Sequence, residues 1–470
     1  DFVQGRRMSQ SMMSYRQHAR AMLLLGFPLI GSHLAQAAVG LTDTVMLGWY
    51  DVEVLAAGVL ATSFFFMLFV LASGFSFAVM PLVASASSAG DPVQVRRVTR
   101  MGLWLSIAFA ILLFPLTWWS GRILLLLGQE PVLAELAQTY LRIAGFGLLP
   151  ALLVMVLKSY VAAQERASIV LWVTIVGALG NALANWVLIF GNWGFPEMGI
   201  AGAALASTIN YGLMLAGLCF YALRVFPEHA LFQRLWRPDW EALGRVFQLG
   251  WPIGLTHLAE SAMFTASAIM MGWVGTLPLA AHGIALQLAS TTFMVHIGLS
   301  QAATVRAGRA FGRRDVDGLL RGGQVGFMLA LAMVVLTMAA FLGMPETLIS
   351  LFLDPADPDR LTIITIGVGL LAMAALFQLA DGTQAMAVAL LRGVHDTRIP
   401  MIQAAVSYWL VGLPTGYVLG FWTPLGAIGI WLGLVAGLSC AAVLLLRRFW
   451  WQRFWMQDMT TAGAAPAGSA

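Results

Sequence analysis

What this 470-residue chain has least of is charge. Asp, Glu, Lys and Arg make up 10% of it, where a soluble globular chain carries about 25%. So little charge cannot clothe a water-facing surface. With 60% apolar residues and a mean hydropathy of +0.82, most of the outer face must meet lipid. Lysine is nearly absent, Lys158 being the only one among 26 basic residues. The formal net charge of +4 is strung between apolar runs and not gathered on one face, which argues against a nucleic-acid partner. The two cysteines, Cys219 and Cys440, lie far apart inside apolar runs. They imply neither a disulfide framework nor a thiolate metal centre. Also missing are a P-loop, HExxH, GxSxG and any Cys/His metal spacing. The chain is therefore not expected to be an enzyme, nor an ATP-driven pump by itself, and no cofactor is expected. An ion gradient is the remaining energy source.

What is present is a series of long apolar runs. A bilayer-spanning helix needs about 20 mostly apolar residues, and twelve segments qualify. They are 21–48, 54–80, 101–120, 132–156, 168–190 and 199–223, then 247–273, 278–303, 322–344, 361–391, 399–420 and 426–446. The expected fold is an all-α integral membrane protein of twelve transmembrane helices. The first run is too long for a signal-peptide core and lacks a cleavage site, so it is expected to be retained. Met8 is read as a native start behind Asp1 to Arg7, and the small-residue tail from Thr460 to Ala470 as unstructured.

Arginine sets the orientation. With the amino terminus placed in the cytoplasm, 23 basic residues, Arg392 among them, fall on inner segments. Two, Arg122 and Arg360, fall on outer loops, and Arg142 lies within the fourth span. The positive-inside rule then puts both termini in the cytoplasm of a bacterial inner membrane.

The chain repeats itself. PLIGSHLAQAA from Pro28 matches PIGLTHLAESA from Pro252, and the register set by these two prolines then holds without a gap. His33 meets His257, Met46 meets Met270, Phe69 meets Phe293 and Asp91 meets Asp315; later, Gly199 and Gly202 echo Gly426 and Gly429. Each half holds six spans. Since six is even, both halves enter the membrane in the same direction as a parallel repeat. The expected organisation is a segment 1–20, a six-helix bundle 21–223, a charged linker 224–246, a second pseudo-symmetric bundle 247–448 and a tail 449–470. Two like bundles facing one cavity suit alternating access.

Of 22 acids, three remain deep inside spans, Asp43, Glu260 and Asp381; the others fall in loops, tails or, for Glu135, the outer edge of a span. Each costs about 2.5–3.5 kcal/mol on insertion scales, and no Lys or Arg stands at matching depth to pair with all three. One or two of them can be protonated structural hydrogen-bonding groups or stand near a water-accessible end, Asp43 first. Three together point to a wet cavity or a bound cation. Such acids can exchange a proton, or hold sodium if other oxygens converge, and they attract cationic solutes.

Asn181 and Asn185 share a face of the fifth span, as candidates for cavity lining or for interhelical bonding. Gln36, two turns before Asp43, fits interhelical bonding better. Phe264 follows Glu260 by one turn and Phe293 lies in the eighth span, where a ring face could hold an organic cation, although packing is the common role of an aromatic here. His33 and His257 fit a structural role shared by both repeats. His282 and His296 are undecided. Pro28, Pro150 and Pro252 are candidate hinges.

At this point the residues resemble the multidrug-and-toxin-extrusion (MATE) family, in its NorM-type branch, over the chain from Pro28 to about Arg448. The likeness is carried by PLIGSHLAQAAVGLTDTVMLG, PLVASASSAGD, GNALANWVLIFG, LAESAMFTASAIMMGWVG, AAHGIALQLASTTFM and ALFQLADGTQAMAVALLRGVHDTRIPM. The resemblance implies V-shaped six-helix lobes and an antiporter that exports small organic cations against H+ or Na+. Asp43 matches the family's first-helix acid, Asn181 and Asn185 its fifth-helix asparagines, and Glu260 with Asp381 the carboxy-lobe acids that mark the branch. Those two acids are the implied Na+ position. Phe264 and Phe293 fall where the family places rings near the cation. Two departures weaken a sodium cage: the branch's tyrosine one turn before the tenth-helix acid is Phe377, and the polar residue after the eighth-helix histidine is Gly283, with Gln287 one turn on. The implied partners are small organic cations and the bilayer, with a monomer expected. The rival reading is a lipid-linked oligosaccharide or lipid flippase of the same superfamily, which should show a more basic cavity.

Overall fold

The computed structural model describes residues 13–456 and 459. Met8 and the tail from Thr460, on which two expectations rest, lie outside the described residues. Among the described residues twelve long helices run in chain order: α1 Tyr15–Tyr50, α2 Val52–Ser88, α3 Pro92–Trp118, α4 Pro131–Ala163, α5 Ala167–Phe190, α6 Ile200–Val225, α7 Trp240–Val274, α8 Thr276–Gly312, α9 Val316–Gly343, α10 Arg360–Gly393, α11 Arg398–Phe421 and α12 Ala427–Arg447. Eleven of them are long and apolar enough to cross a membrane. The other is α7, whose polar residues Glu241, Arg245, His257 and Glu260 dilute an otherwise spanning helix.

The expected spans differ from the helices mainly on one side. At the far ends the bounds agree within a few residues. At the terminus-bearing ends α1, α3, α7 and α9 begin six to nine residues early, and α2, α4 and α8 run seven to nine residues on. The apolar signal stops where hydrocarbon stops, whereas helical hydrogen bonding needs no apolar side chain. Helix α7 accordingly starts at Trp240, inside the expected linker 224–246.

Local chemistry explains the helix starts. Asp51, Asp91, Asp239 and Asp315 each accept backbone N–H bonds as N-caps of α2, α3, α7 and α9, the role for which a short carboxylate is preferred. The repeated Asp91–Asp315 pair is thus a pair of equivalent caps. Gly199 and Gly426 precede α6 and α12 with φ of +53° and +52°, a backbone that disfavours any side chain. Pro28, Pro150 and Pro252 lie inside unbroken helices. The irregular helix is α11, which widens into a π-helical turn at Ser407–Gly412, a feature frequent at functional sites. Gly412, Gly416 and Gly420 of α11 meet Gly437, Gly433, Ile430 and the Gly426 carbonyl of α12 and its N-cap, with hardly room for a Cβ. Such small-residue stripes let membrane helices approach closely.

The halves meet at the terminus-bearing end. A Cβ on Gly74 of α2 would fall 2.4 Å from the Gly250 oxygen and the Gly254 nitrogen of α7, and one on Gly298 of α8 would fall 2.6 Å from the Ile30 nitrogen of α1. Gly74 and Gly298 are equivalent positions of the repeat, as are Ile30 and Gly254, so one crossing occurs twice. Ion pairs and hydrogen bonds tie the same end. Arg97 of α3 pairs with Asp239 and, at 2.8 Å, with Glu241 of α7. Arg306 of α8 pairs with Glu165 at 2.8 Å, and Tyr15 donates to Gln324 of α9 at 2.8 Å. The segment joining the halves folds onto the first: Trp104 donates to the Leu235 carbonyl at 2.7 Å, and Tyr160 bonds His229 at 2.5 Å.

Candidate functional site

The three membrane-embedded acids divide between the halves, one and two. In the first half, Asp43 on α1 is half-buried and faces α5 and α6. Its Oδ1 accepts from Asn181 Nδ2 at 2.6 Å and Asn185 Nδ2 at 2.5 Å, and its Oδ2 from Ser207 Oγ at 3.3 Å. Both asparagines are fully buried. The four-residue spacing that put them on one face also turns both amides to a single carboxylate oxygen. With their nitrogens engaged, the Asn181 and Asn185 Oδ1 atoms are buried without a partner, so carbonyl oxygens stand unused beside a carboxylate, the donor set of a hard cation or a water. Tyr140 of α4 shares a hydrogen bond with Ser207 and extends the cluster. Gln36 is half-buried on α1 and makes no hydrogen bond to Asp43.

In the second half, Glu260 on α7 and Asp381 on α10 are electrostatic neighbours. Asp381 is 3% exposed and flanked on its own helix by Gln378 and Gln384, three residues before and after. Gln378 Nε2 donates to the Ala289 carbonyl of α8 at 3.3 Å, and Gln384 Nε2 donates to the Tyr408 hydroxyl of α11. The Oε1 atoms of both glutamines are buried and unpartnered. Tyr408 sits in the π-helical turn of α11 and is fully buried. Among the described residues no three His, Cys, Asp or Glu side chains converge as a metal cage.

The aromatic candidates separate. Phe264 meets Phe377 edge-on at 5.9 Å between ring centroids, and Phe377 meets Trp431 at 5.8 Å. Trp431 Nε1 donates to His282 Nδ1 at 3.1 Å. Phe377 is 2% exposed, so it is a wall behind Phe264, while Phe264 keeps partial exposure. Phe293 is half-buried on α8 and stacks on neither ring. Gln287 is exposed, and Gly283 one turn before it opens onto empty space. His296 lies against Gly382, beside Asp381.

Arg392 comes near one of the acids, Glu260, which leaves standing the expectation that no basic residue pairs with all three. Its Nη2 lies 3.2 Å from His257 Nε2, and its charge acts on Glu260. Sequence placed it in an inner loop because the apolar run ends at 391. Helix α10 continues to Gly393, and the guanidinium reaches His257 of α7. Ser207, Gln378, Gln384 and Tyr408 were also missed. Gln378 and Gln384 had a signal, being three residues either side of Asp381, and Ser207 opens the polar run STIN in an apolar helix. Tyr408 had none, since its placement depends on the widened turn.

A family model described as MatE matches residues 28–187 and 252–418, one match per repeat. A protein named "Probable multidrug resistance protein NorM" from Rhizobium meliloti (strain 1021) is 43% identical over 98% of both chains. One of the same name from Agrobacterium fabrum (strain C58 / ATCC 33970) is 46% identical over 93% of this chain and 94% of that one. Among solved structures, a eukaryotic MATE transporter superposes with a TM-score of 0.85 at 19% identity, covering 95% of this chain and 98% of that one. An outward-facing MATE family multidrug resistance transporter gives 0.83 at 21%, covering 94% and 97%. The chain belongs to the MATE family of membrane transporters, in its NorM-type branch.

Proposed function

We propose that the chain is a secondary multidrug exporter that releases amphipathic, mostly cationic drugs or dyes in exchange for inward H+ or Na+. It works as a monomer in a bacterial inner membrane with both termini in the cytoplasm. The observation that carries this reading is the placing of Asp43 and Asp381, one in each half, among neutral polar side chains. Asp43 is held by Asn181, Asn185 and Ser207, and Asp381 is flanked by buried amides. Drug cation and coupling cation then compete for the same carboxylates, and binding of one releases the other. The names of the relatives support the substrate class, and the arginine asymmetry supports the orientation. The halves are tied at the end read as cytoplasmic, which corresponds to a cavity open outward, the state that takes up the coupling ion. Phe264, beside Glu260 and partly exposed, supplies the ring face for an organic cation.

The test is efflux of ethidium from proteoliposomes under an imposed H+ or Na+ gradient. Efflux that follows one gradient and is lost in Glu260→Gln and Asp381→Asn supports the mechanism. Normal efflux in both membrane-inserted variants contradicts it.

A further inference from the structure

The paired histidines of the repeat stand where the two halves meet, each beside a half-buried cation. His33 of α1 shares a hydrogen bond with Gln301 of α8, and Lys158 of α4 is its charged neighbour. His257, its equivalent in the second half, lays its ring 5.5 Å from that of Phe77 of α2. Phe77 and Gln301 are themselves equivalent positions of the repeat. The charged neighbour of His257 is Arg392 of α10, at 3.2 Å. A guanidinium can only donate, so Nε2 of His257 accepts and its ring proton sits on Nδ1. The nearby carboxylate of Asp396 is already taken by Arg448 at 2.5 Å. Among the described residues, Arg392 has no ion-pair partner of its own.

Depth gives this charge a meaning. Arg392 is eleven residues beyond Asp381, on the same face of α10 and about 16 Å nearer the terminus-bearing end. His257 is one turn nearer that end than Glu260 on α7. Going inward, α10 carries Asp381, Gln384 and then Arg392, α7 carries Glu260 and then His257, and the Phe77 ring of the other half lies against His257. A cation leaving Glu260 towards the terminus-bearing side meets a fixed positive charge in a medium that screens it poorly.

We propose that Arg392, oriented by His257, is an electrostatic plug that closes the carboxy-half acid site to cations on the terminus-bearing side while the halves are tied there. It is a positioning residue for the coupling ion: it makes the site fill from the far side only. Opening of the seam withdraws Phe77 from His257 and frees the guanidinium from its anchor, and the plug is removed in the step that should release the ion. This inference rests on Glu260 and Asp381 being the coupling site.

The experiment measures drug-free downhill entry of H+ and of Na+ into proteoliposomes, beside ethidium efflux. Arg392→Gln is expected to leak the coupling cation about tenfold faster than the parent, and the leak should vanish in the Arg392→Gln/Glu260→Gln double variant. Arg392→Lys, which keeps the charge, should leak far less than Arg392→Gln. A tight Arg392→Gln, an equal leak in Arg392→Lys, or a leak that survives Glu260→Gln overturns the plug. Should Arg392→Gln not fold, His257→Asn, which removes the anchor and leaves the charge, is expected to leak, and a tight His257→Asn overturns the proposal. Absence of ethidium efflux by the parent counts against the exporter itself. Efflux by the parent with a tight Arg392→Gln counts against the plug alone.

Discussion

Gly74 of α2 lies so close to Gly254 of α7 that a Cβ on the first would come within 2.4 Å of the second's nitrogen. The repeat reproduces this crossing with Gly298 against Ile30, so the seam is built twice from the same positions. The terminus-bearing end closes because these positions let backbones touch, and the polar ties there follow from that approach.

A side chain at this crossing should wedge the seam. Gly74→Val and Gly298→Val are each expected to cost about 1–3 kcal/mol as overpacking, read as a lowered thermal unfolding temperature in detergent. Gly283→Ala, with nothing within 4 Å of its Cβ position, should not lower that temperature and can raise it slightly, since it lies inside α8. Equal behaviour of the three variants would contradict the close approach.

Fold and repeat were legible because hydrophobic length, arginine asymmetry and a constant separation are one-dimensional signals. Asp43, Asn181 and Asn185 were legible for a related reason: each is a polar residue where lipid should stand, and the spacing of the asparagines fixed their common face. Arg392 was not, because hydropathy reports where the apolar run ends and not how far the helix continues. The same blindness hid the helical extensions that carry Arg97, Tyr15 and Arg306 to the other half. Tyr408 was hidden because a π-helical turn shifts the register of every side chain after it. Lys158, unexplained by composition, stands beside His33 much as Arg392 stands beside His257.

The Arg97–Asp239 pair makes a prediction about pH. Hydrogen bonding to Arg97 holds the Asp239 carboxyl down to about 2, from an ordinary 3.8. A carboxyl lowered in the folded state contributes stability that is complete above its ordinary value and is lost as pH falls toward 2. Asp239→Asn should therefore lower the unfolding temperature equally at pH 6, 7 and 8. The cost should be about 1 kcal/mol or less, since the two side chains are 28% and 18% exposed. A cost that changes across that range would contradict the assignment.

Tyr408 and Gln384 should behave as a buried pair. Tyr408→Phe leaves the Gln384 amide nitrogen without its partner, at a cost of about 1–3 kcal/mol. The double variant Tyr408→Phe/Gln384→Leu removes both polar partners and should regain part of the loss in the same unfolding measurement. Strictly additive losses would show that the two side chains do not depend on each other.

In the first half, Asn185→Ala removes one of the two asparagine hydrogen bonds to Asp43, about 1 kcal/mol or more. If Asp43 receives the organic cation, ethidium affinity should fall severalfold or more in Asn185→Ala, and further in Asp43→Asn. Unchanged affinity in both, by fluorescence titration, would confine Asp43 to a structural role.

The central claim is that carboxylates in the second half exchange a drug cation for a coupling cation. Its most direct measurement is ethidium efflux from proteoliposomes with H+ and Na+ gradients imposed separately, for the parent and for Asp381→Asn. The account predicts efflux driven by one of the gradients in the parent and none in Asp381→Asn, with insertion unchanged. Gradient-driven efflux that survives in Asp381→Asn, or no efflux of any organic cation by the folded parent under either gradient, would contradict it.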